Sequence, residues 1–250
     1  MTVPRQLIWR VWLPVTLFAL WELGGRTGVL DPLFFPPPSA LASAAQALYQ
    51  TGELTGHLGA TLSRTLAGFV LGAIAGLACG LAMGLSTPIR RSLEPLVSTF
   101  VSSPKLSLLP LLMLVLGFGE KPRLTLVAAA AFIVTALHTL DAVRALNPDF
   151  VELARNYGAR SWRLVRSVYL PAGLPQLFTG LRLALGRALA VSISVEIVGA
   201  PNGIGQMIWS GWQIFATERV YLGVLLAAIL GASFHGSMRL LEKAAIPWRD

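Results

Sequence analysis

The sequence predicts an all-α integral membrane protein with about six transmembrane helices. Of its 250 residues, 54% are hydrophobic and only 13% are charged, whereas soluble domains average roughly 45–50% and about 25%. The mean hydropathy of +0.66 is typical of the same class. Long apolar stretches, several of them near the roughly 17 residues needed to cross a bilayer, recur along the chain. These observations exclude a soluble enzyme and a disordered chain.

Charge and cysteine content exclude two further classes. The formal net charge is +8, but no basic cluster is interleaved with aromatic residues, so we expect no nucleic-acid partner. The single Cys79 lies inside an apolar segment, and the three histidines are scattered, so each is interpreted as a membrane-buried or packed imidazole. This pattern provides neither a disulfide framework nor a metal-ligand set.

The first apolar run, from Val11 to Leu23, follows Arg5 and Arg10. No small-x-small cleavage site comes after it, so we expect a retained first span, kinked near Pro14, and not a signal peptide. The next segment, FFPPPS, is incompatible with a helix interior. From Ser39 to about Gln50 the pattern predicts an amphipathic helix that is too short to cross and lies along the surface.

The second predicted span, Leu62 to Leu85, carries glycine at every fourth position. Small residues at this spacing form a stripe that lets helix backbones approach closely in lipid. The stripe therefore predicts a packing seam, either within the subunit or against a second copy of the chain. Its members are Gly68, Gly72, Gly76, Gly80 and Gly84.

The third apolar segment, from about Leu93 to Phe118, is interrupted by Pro104 and Pro110. A helix broken at membrane depth is tolerated where it lines protein or a water-filled cavity. The remaining predicted spans run from Leu124 to Leu140, from just after Pro175 to about Gly199, and from Val220 to Leu241.

The longest polar interval in the second half of the chain extends from Asn147 to Pro171 and predicts two short helices with a hinge. Asp149 is expected to cap the first, with Glu152 completing a capping box. Gly158 tolerates the left-handed conformation that ends it. Helices this short are marginal in water, so we expect a neighbour outside the membrane to hold them.

The second helix of this interval is expected to be capped by Ser161 and to stop near Leu170-Pro171. It carries Arg160, Arg163 and Arg166.

The spacing of Glu152, Ala154, Gly158 and Leu170-Pro171 resembles the EAA loop of ABC-importer permeases, in which EAA, three residues, Gly and nine further residues precede I-x-L-P. Two positions depart from that pattern, because Leu153 replaces the middle Ala and Val168 replaces Ile; both exchanges are apolar. In this family the loop is a coupling helix that sits in a groove of a separate cytoplasmic ATPase. The resemblance assigns this role to Glu152, Ala154, Arg155, Gly158, Ala159, Leu170 and Pro171.

Other segments look like the nitrate/sulfonate/taurine/bicarbonate branch of these permeases. They are FFPPPS, LLPLL after Pro104, GFGE at 117–120, TGLRLALG at 179–186, VE at 195–196, NGIG at 202–205 and PW at 247–248. The resemblance implies the MetI-like type I importer fold, a homodimer, an ATP-binding cassette ATPase dimer that binds ATP and Mg, and a periplasmic or lipid-anchored substrate-binding protein. It also implies a small anionic solute. This chain has no G-x-x-x-x-G-K-[ST] phosphate loop and so no nucleotide site of that kind.

The distribution of basic residues predicts the orientation. Six spans in one domain, 1–250, with both termini in the cytoplasm of a bacterial inner membrane, place twelve Arg and Lys residues inside. Five fall outside or at the outer boundary: Arg26, Arg64, Lys121, Arg123 and Arg219. This asymmetry is that of the positive-inside rule, and it puts the 141–171 loop in the cytoplasm.

Three ionisable residues within the spans are candidates for the substrate path, since charge in lipid is costly and usually functional. They are Lys105, Arg187 and Glu196. Arg187 and Glu196 project to opposite faces of one helix, so Glu196 is expected to have a structural or gating partner on another helix. Lys105 and Arg187 either face the path and favour an anion, or form buried pairs with Glu94, Glu196 or a carboxylate of a partner subunit.

Two other functions compete with that of a permease subunit. An ATP-independent secondary transporter or channel would share the composition, but we find no inverted repeat. An intramembrane enzyme is disfavoured, because Ser233 and His235 project to different faces of the sixth span and no catalytic motif accompanies them.

Overall fold

The computed structural model describes residues 3–159 and 161–247. Every regular element in this part of the chain is helical. The predicted positions Arg160 and Trp248 lie outside it. The elements are α1 Val3–Arg26, α2 Pro38–Gln50, α3 Glu53–Leu85, α4 Thr87–Ser102, a 3-10 turn Lys105–Leu108, α5 Leu109–Leu116, α6 Glu120–Arg144, α7 Pro148–Asn156, α8 Ser161–Leu164, a π-helical segment Val165–Tyr169, α9 Leu170–Gly199, α10 Ile204–Gln213 and α11 Thr217–Ala245.

The membrane-spanning class is confirmed. Among the described residues, α3, α6 and α11 are each long and apolar enough to cross a bilayer. Two bent pairs raise the number to five if each is one span: α4 with residues 105–116, bent by 101°, and residues 165–199 with α10, bent by 41°. The first pair is the predicted broken helix. Helix α1 is not among these candidates, so its crossing stays a prediction.

The glycine stripe of α3 packs against α6 of the same chain. A Cβ atom at any of the five glycines would come within 3 Å of an α6 atom. At Gly72, Gly76 and Gly80 the atom nearest to such a Cβ is a backbone carbonyl oxygen of α6. These oxygens belong to Ala128, Phe132 and Ala136, which are also spaced four residues apart. The two backbones therefore approach directly over about two turns, with both helices running in the same direction, and at Gly68 and Gly84 the side chains of Val127 and Val143 fill the space.

Helix α9 runs in the opposite direction along the same α6. Gly180 faces His138, and Gly173 faces Ala142 one turn further along. The core between them is apolar, with Leu126, Val127 and Ala131 of α6 against Ala184, Leu185 and Ala188 of α9. Helices α3 and α6 are thus parallel, and α9 is antiparallel to both. These directions are the ones expected for the second, fourth and fifth spans of a chain that crosses the membrane repeatedly.

The seam yields a stability prediction. Gly76→Leu forces a side chain into the carbonyl of Phe132, and overpacking of this kind costs about 3 kcal/mol. We expect a clearly lower Tm by fluorescence-detected size exclusion. Gly236→Leu is the matched control, because a Cβ there meets no described atom within 4 Å. Equal Tm values for the two variants would contradict a packed seam.

Candidate functional site

The helix α7 begins earlier than the sequence pattern predicted. Its cap is Asn147, whose Oδ1 accepts a hydrogen bond from the Asp149 backbone N–H at 2.9 Å. The predicted Asp149 cap is therefore wrong, and so is the capping box with Glu152. The reason is Pro148, which occupies the first helical position, where a proline needs no hydrogen-bond acceptor. The cap is therefore the residue before it.

The C-terminal end of α7 is a Schellman motif. Gly158, at φ 81°, is left-handed, and its N–H donates to the Arg155 carbonyl at 2.9 Å. The Ala159 N–H reaches back to the Ala154 carbonyl, also at 2.9 Å. These are the two bonds that define the motif. A Cβ at Gly158 would meet no described atom within 4 Å, so glycine is needed for its backbone conformation and not for space.

Helix α7 presents an apolar face to solvent. Phe150, Leu153 and Tyr157 are 60%, 54% and 85% exposed, and their spacing places them on one side of the helix. None of the nine described residues of α7 is buried. Glu152 and Arg155 are exposed on the other side. An exposed apolar stripe on a polar segment is typical of an interaction surface.

The second helix does not stop at Leu170-Pro171, as had been predicted; it continues into α9. The Leu170 N–H bonds to the carbonyl of Val165, five residues back, in a π-helical turn. Pro171 has no N–H to donate, and this widened turn is a known way for a helix to accommodate such a gap. The chain is thus helical from Ser161 to Gly199, so α8 is joined to a membrane helix without a loop.

A buried ionic network joins three membrane helices at the opposite end of α9. Glu196 is fully buried and Arg64 is 5% exposed; their side chains form an ion pair. Arg64 also donates from Nε and Nη2 to the two oxygens of Glu120, at 2.8 and 3.0 Å. Such fork-like pairs are stronger than single hydrogen bonds. Glu196 therefore has the partner on another helix that was expected.

Glu196 also holds the loop before α10. Its Oε2 accepts hydrogen bonds from Thr61 Oγ1 at 2.8 Å and from the Gly205 N–H at 2.9 Å. The Ile204 N–H donates to Thr61 Oγ1 at 2.8 Å. The free N–H groups at the start of α10 are thus satisfied by a carboxylate and a hydroxyl. A Cβ at Gly203 would overlap the Glu196 carboxyl group, which explains part of the NGIG pattern.

A separate cavity of about 200 Å³ brings Lys105 and Arg187 together near the middle of α6 and α9. Glu196 is not among its lining residues. Ion pairs among the described residues include neither cation, and Glu94 pairs with Arg90 and Arg144 at 3.9 and 3.7 Å. Pairing with Glu94 or Glu196 of the same chain is therefore not observed. Lys105 Nζ donates to the Val101 carbonyl at 3.0 Å.

Two residues of these sites were not singled out from the sequence. Arg64 was placed at the outer membrane boundary because it lies near one end of an apolar stretch, and its partners are 56 and 132 residues away. His138 lines the cavity, but it was interpreted as a packed imidazole. The rule that intramembrane ionisable groups are functional candidates would have found it.

The fold is that of ABC-importer permeases. The structure matches a chain of the MetNI methionine ABC transporter, in inward-facing conformations, with a TM-score of 0.70 at 22% identity over 76% of this chain and 94% of that chain. It also matches an amino acid ABC transporter solved with histidines, with a TM-score of 0.67 at 18% identity over 80% and 97%. At these identities the likeness establishes the fold.

Residues 68–246 match the family model of the binding-protein-dependent transport system inner membrane component, and the chain belongs to that family. It is 32% identical to the putative aliphatic sulfonates transport permease protein SsuC of Bacillus subtilis (strain 168), over 95% of this chain and 86% of that protein. It is 29% identical to the taurine transport system permease protein TauC of Escherichia coli (strain K12), over 98% and 90%.

Family membership fixes the general role. The chain is a multi-pass inner-membrane permease subunit of an ABC importer. It is not an enzyme, because ATP hydrolysis in such importers belongs to a separate subunit. The resemblance on which this expectation was based is confirmed.

The ionic network yields a second prediction. Arg64→Met leaves Glu196 buried without its cation, which costs about 3–5 kcal/mol. We expect a large fall in Tm, and a double variant with Glu196→Met that is less destabilised than the sum of the single variants.

Arg219→Met is the control for Arg64→Met, because it breaks an exposed pair with Glu53 at 3.6 Å, and exposed pairs contribute at most about 1 kcal/mol. A Tm for Arg64→Met equal to that of the control, or strict additivity in the double variant, would refute the network's role.

Proposed function

We infer that the chain forms the translocation path of an ATP-driven importer for a small organic anion and is driven through α7 by a separate ATPase. The observation that carries this proposal is the exposed apolar face of α7, formed by Phe150, Leu153 and Tyr157. It lies on α7, which precedes α8, and α8 is joined without a loop to the membrane helix α9. A partner that binds this face and moves can transmit its motion through the turn at Gly158 and α8 into the membrane.

The proposed assembly contains a second copy of this chain, an ATP-binding cassette ATPase dimer that binds ATP and Mg, and a periplasmic or lipid-anchored substrate-binding protein. It follows the family resemblance of the 141–171 loop and of the chain as a whole. The positive-inside distribution supports an orientation with α7 and both termini in the cytoplasm. The Arg64 network and the loop before α10 then lie at the periplasmic end.

The proposed coupling segment comprises Glu152, Ala154, Arg155, Gly158 and Ala159. Within it the apolar face of α7 is the proposed contact with the ATPase, whereas Glu152 and Arg155 are exposed on the other side of the helix and Ala159 is buried. Leu170 and Pro171 act differently, as part of the stiff connection to α9. Their contribution is to the transmission of force and not to contact with the ATPase.

The proposed solute class is that of organic sulfonates. Relatives that align over nearly the whole chain are named as aliphatic sulfonates and taurine permeases. Lys105 and Arg187 supply positive charge to a cavity beside the broken span, and they have no carboxylate partner among the described residues. Unpaired cations at membrane depth favour an anion in the path. Glu196, which is buried in the network, is assigned to structure and gating at the outer end.

Leu153→Asp tests the coupling surface. The substitution places a charge at the centre of the apolar face, and truncation or charging of such central contacts typically removes 2 kcal/mol or more of binding energy, roughly thirtyfold in affinity. We expect sulfonate uptake and solute-stimulated ATP hydrolysis in the reconstituted complex to fall at least about tenfold. The permease itself should retain its Tm, because Leu153 is exposed.

Asn156→Asp is the matched control. It adds the same charge to the same helix at an exposed position away from the apolar face, and we expect near-normal uptake. Normal coupling in Leu153→Asp, or uptake that proceeds without any ATPase subunit, would refute the proposed function.

A further inference from the structure

Three successive backbone N–H groups, those of residues 203–205, each donate to a side chain where α10 begins. In chain order the acceptors are His57 Nδ1 at 3.1 Å, Thr61 Oγ1 at 2.8 Å and Glu196 Oε2 at 2.9 Å. The N–H groups at the start of a helix have no partner within the helix, so these acceptors fix the position of that start. His57 and Thr61 lie one turn apart on α3, so α10 is tied to α3 as well as to α9.

We propose that His57 is a pH-sensitive switch, whose neutral ring holds the start of α10 and whose protonated ring releases it. Of the three acceptors, the imidazole is the one whose unperturbed side chain changes charge between about pH 5 and 8. The hydroxyl of Thr61 does not titrate in this range, and an ordinary carboxyl group titrates below it.

The hydrogen bond to His57 requires a ring without a proton on Nδ1. The Gly203 N–H is a donor, so the ring nitrogen that faces it must be an acceptor. In the imidazolium both ring nitrogens carry a hydrogen, and rotation of the ring therefore does not restore the bond. Protonation leaves the Gly203 N–H without its acceptor and places two donors opposite each other. The ring is partly exposed, so protons from water reach it.

The charged groups at this end of α3, α6, α9 and α11 already pair with one another. Helices α2 and α10, which also pack against α3, carry no charged residue. The pairs comprise three carboxylates and three guanidiniums within the part of the chain that the structure describes, so a proton on His57 adds a positive charge that no free carboxylate awaits. The paired residues are Glu53, Arg64, Glu120, Arg123, Glu196 and Arg219.

The release is confined to the start of α10. Further along this helix, Met207 packs with Leu48 and Leu222, and these apolar contacts do not depend on pH. Gly203, at φ 121°, has the backbone freedom to move once its bond is lost. In the proposed orientation this end faces the periplasm, so the signal is the acidity outside the cell; that assignment alone rests on the proposed function.

Hydrogen–deuterium exchange of the purified full-length permease in nanodiscs tests the switch. The protection factor of residues 203–205, corrected for the intrinsic pH dependence of exchange, is compared at about pH 7.5 and about pH 5.0. We expect the protection of the wild type to fall at least about fivefold at the lower pH, because one hydrogen bond is lost from the closed state.

Two substitutions separate the hydrogen bond from the charge. His57→Asn places an amide oxygen where Nδ1 stands, and this oxygen accepts the same N–H and does not titrate; protection should be high at both pH values. His57→Leu removes the acceptor, so protection should be low at both. His235→Asn is the matched control, because His235 is an exposed histidine of α11; this variant should behave like the wild type.

Equal protection of the wild type at the two pH values would overturn the inference. An equal fall in His57→Asn and in the wild type would also overturn it, because another group would then be the cause. If His57→Leu does not fold, the comparison of the wild type with His57→Asn still decides.

The outcome is distinguishable from failure of the proposed function. No ATPase, binding protein or solute takes part in the exchange experiment, so it reports on His57 alone. Loss of coupling, measured with Leu153→Asp and Asn156→Asp, concerns the function itself.

Discussion

The rest of the structure depends on the direct contact between the backbones of α3 and α6. Five glycines on α3 bring it close to α6, and from Gly72 to Gly80 the nearest α6 atoms are backbone carbonyls, over about two turns. Another side of α6 packs against α9, and both sites are built along that contact. The Arg64 network lies at one end of the α6–α9 contact, and the cavity lies near its middle.

Helix α9 connects every functional feature. At its start it is joined through the π-helical turn to α8, which follows α7 and its exposed apolar face. In its middle it supplies Arg187 to the cavity, and near its end Glu196 holds the start of α10. In the proposed function, a push on α7 passes through α8 into α9 and along α9 past the cavity to the network. Small shifts in a packed core tend to switch it between discrete arrangements and not to deform it gradually, which suits alternating access.

Periodic and local features of this fold were predictable from the sequence, whereas partners distant in the chain were not. Three predicted features follow from the residue type itself. The glycine stripe follows from its four-residue spacing, the helix break from Pro104 and the left-handed turn from Gly158. The pairing of Arg64 with Glu196 does not, because it depends on how α3 and α9 are placed by α6. The cap at Asn147 and the continuation through Pro171 were missed for another reason. In both cases the prediction used the average effect of proline, which is to break a helix. Pro148 instead begins α7, and at Pro171 the helix continues beside a widened turn.

The proposed function requires a nucleotide-driven partner that binds this chain at α7. The most direct test is photo-crosslinking in intact membranes from a benzoylphenylalanine residue at position 157, where the native Tyr157 is 85% exposed. We expect the principal adduct to contain an ATPase with a phosphate loop, and we expect the yield of that adduct to change when ATP is trapped. An adduct formed only with a periplasmic protein, or none under conditions in which transport is active, would contradict it.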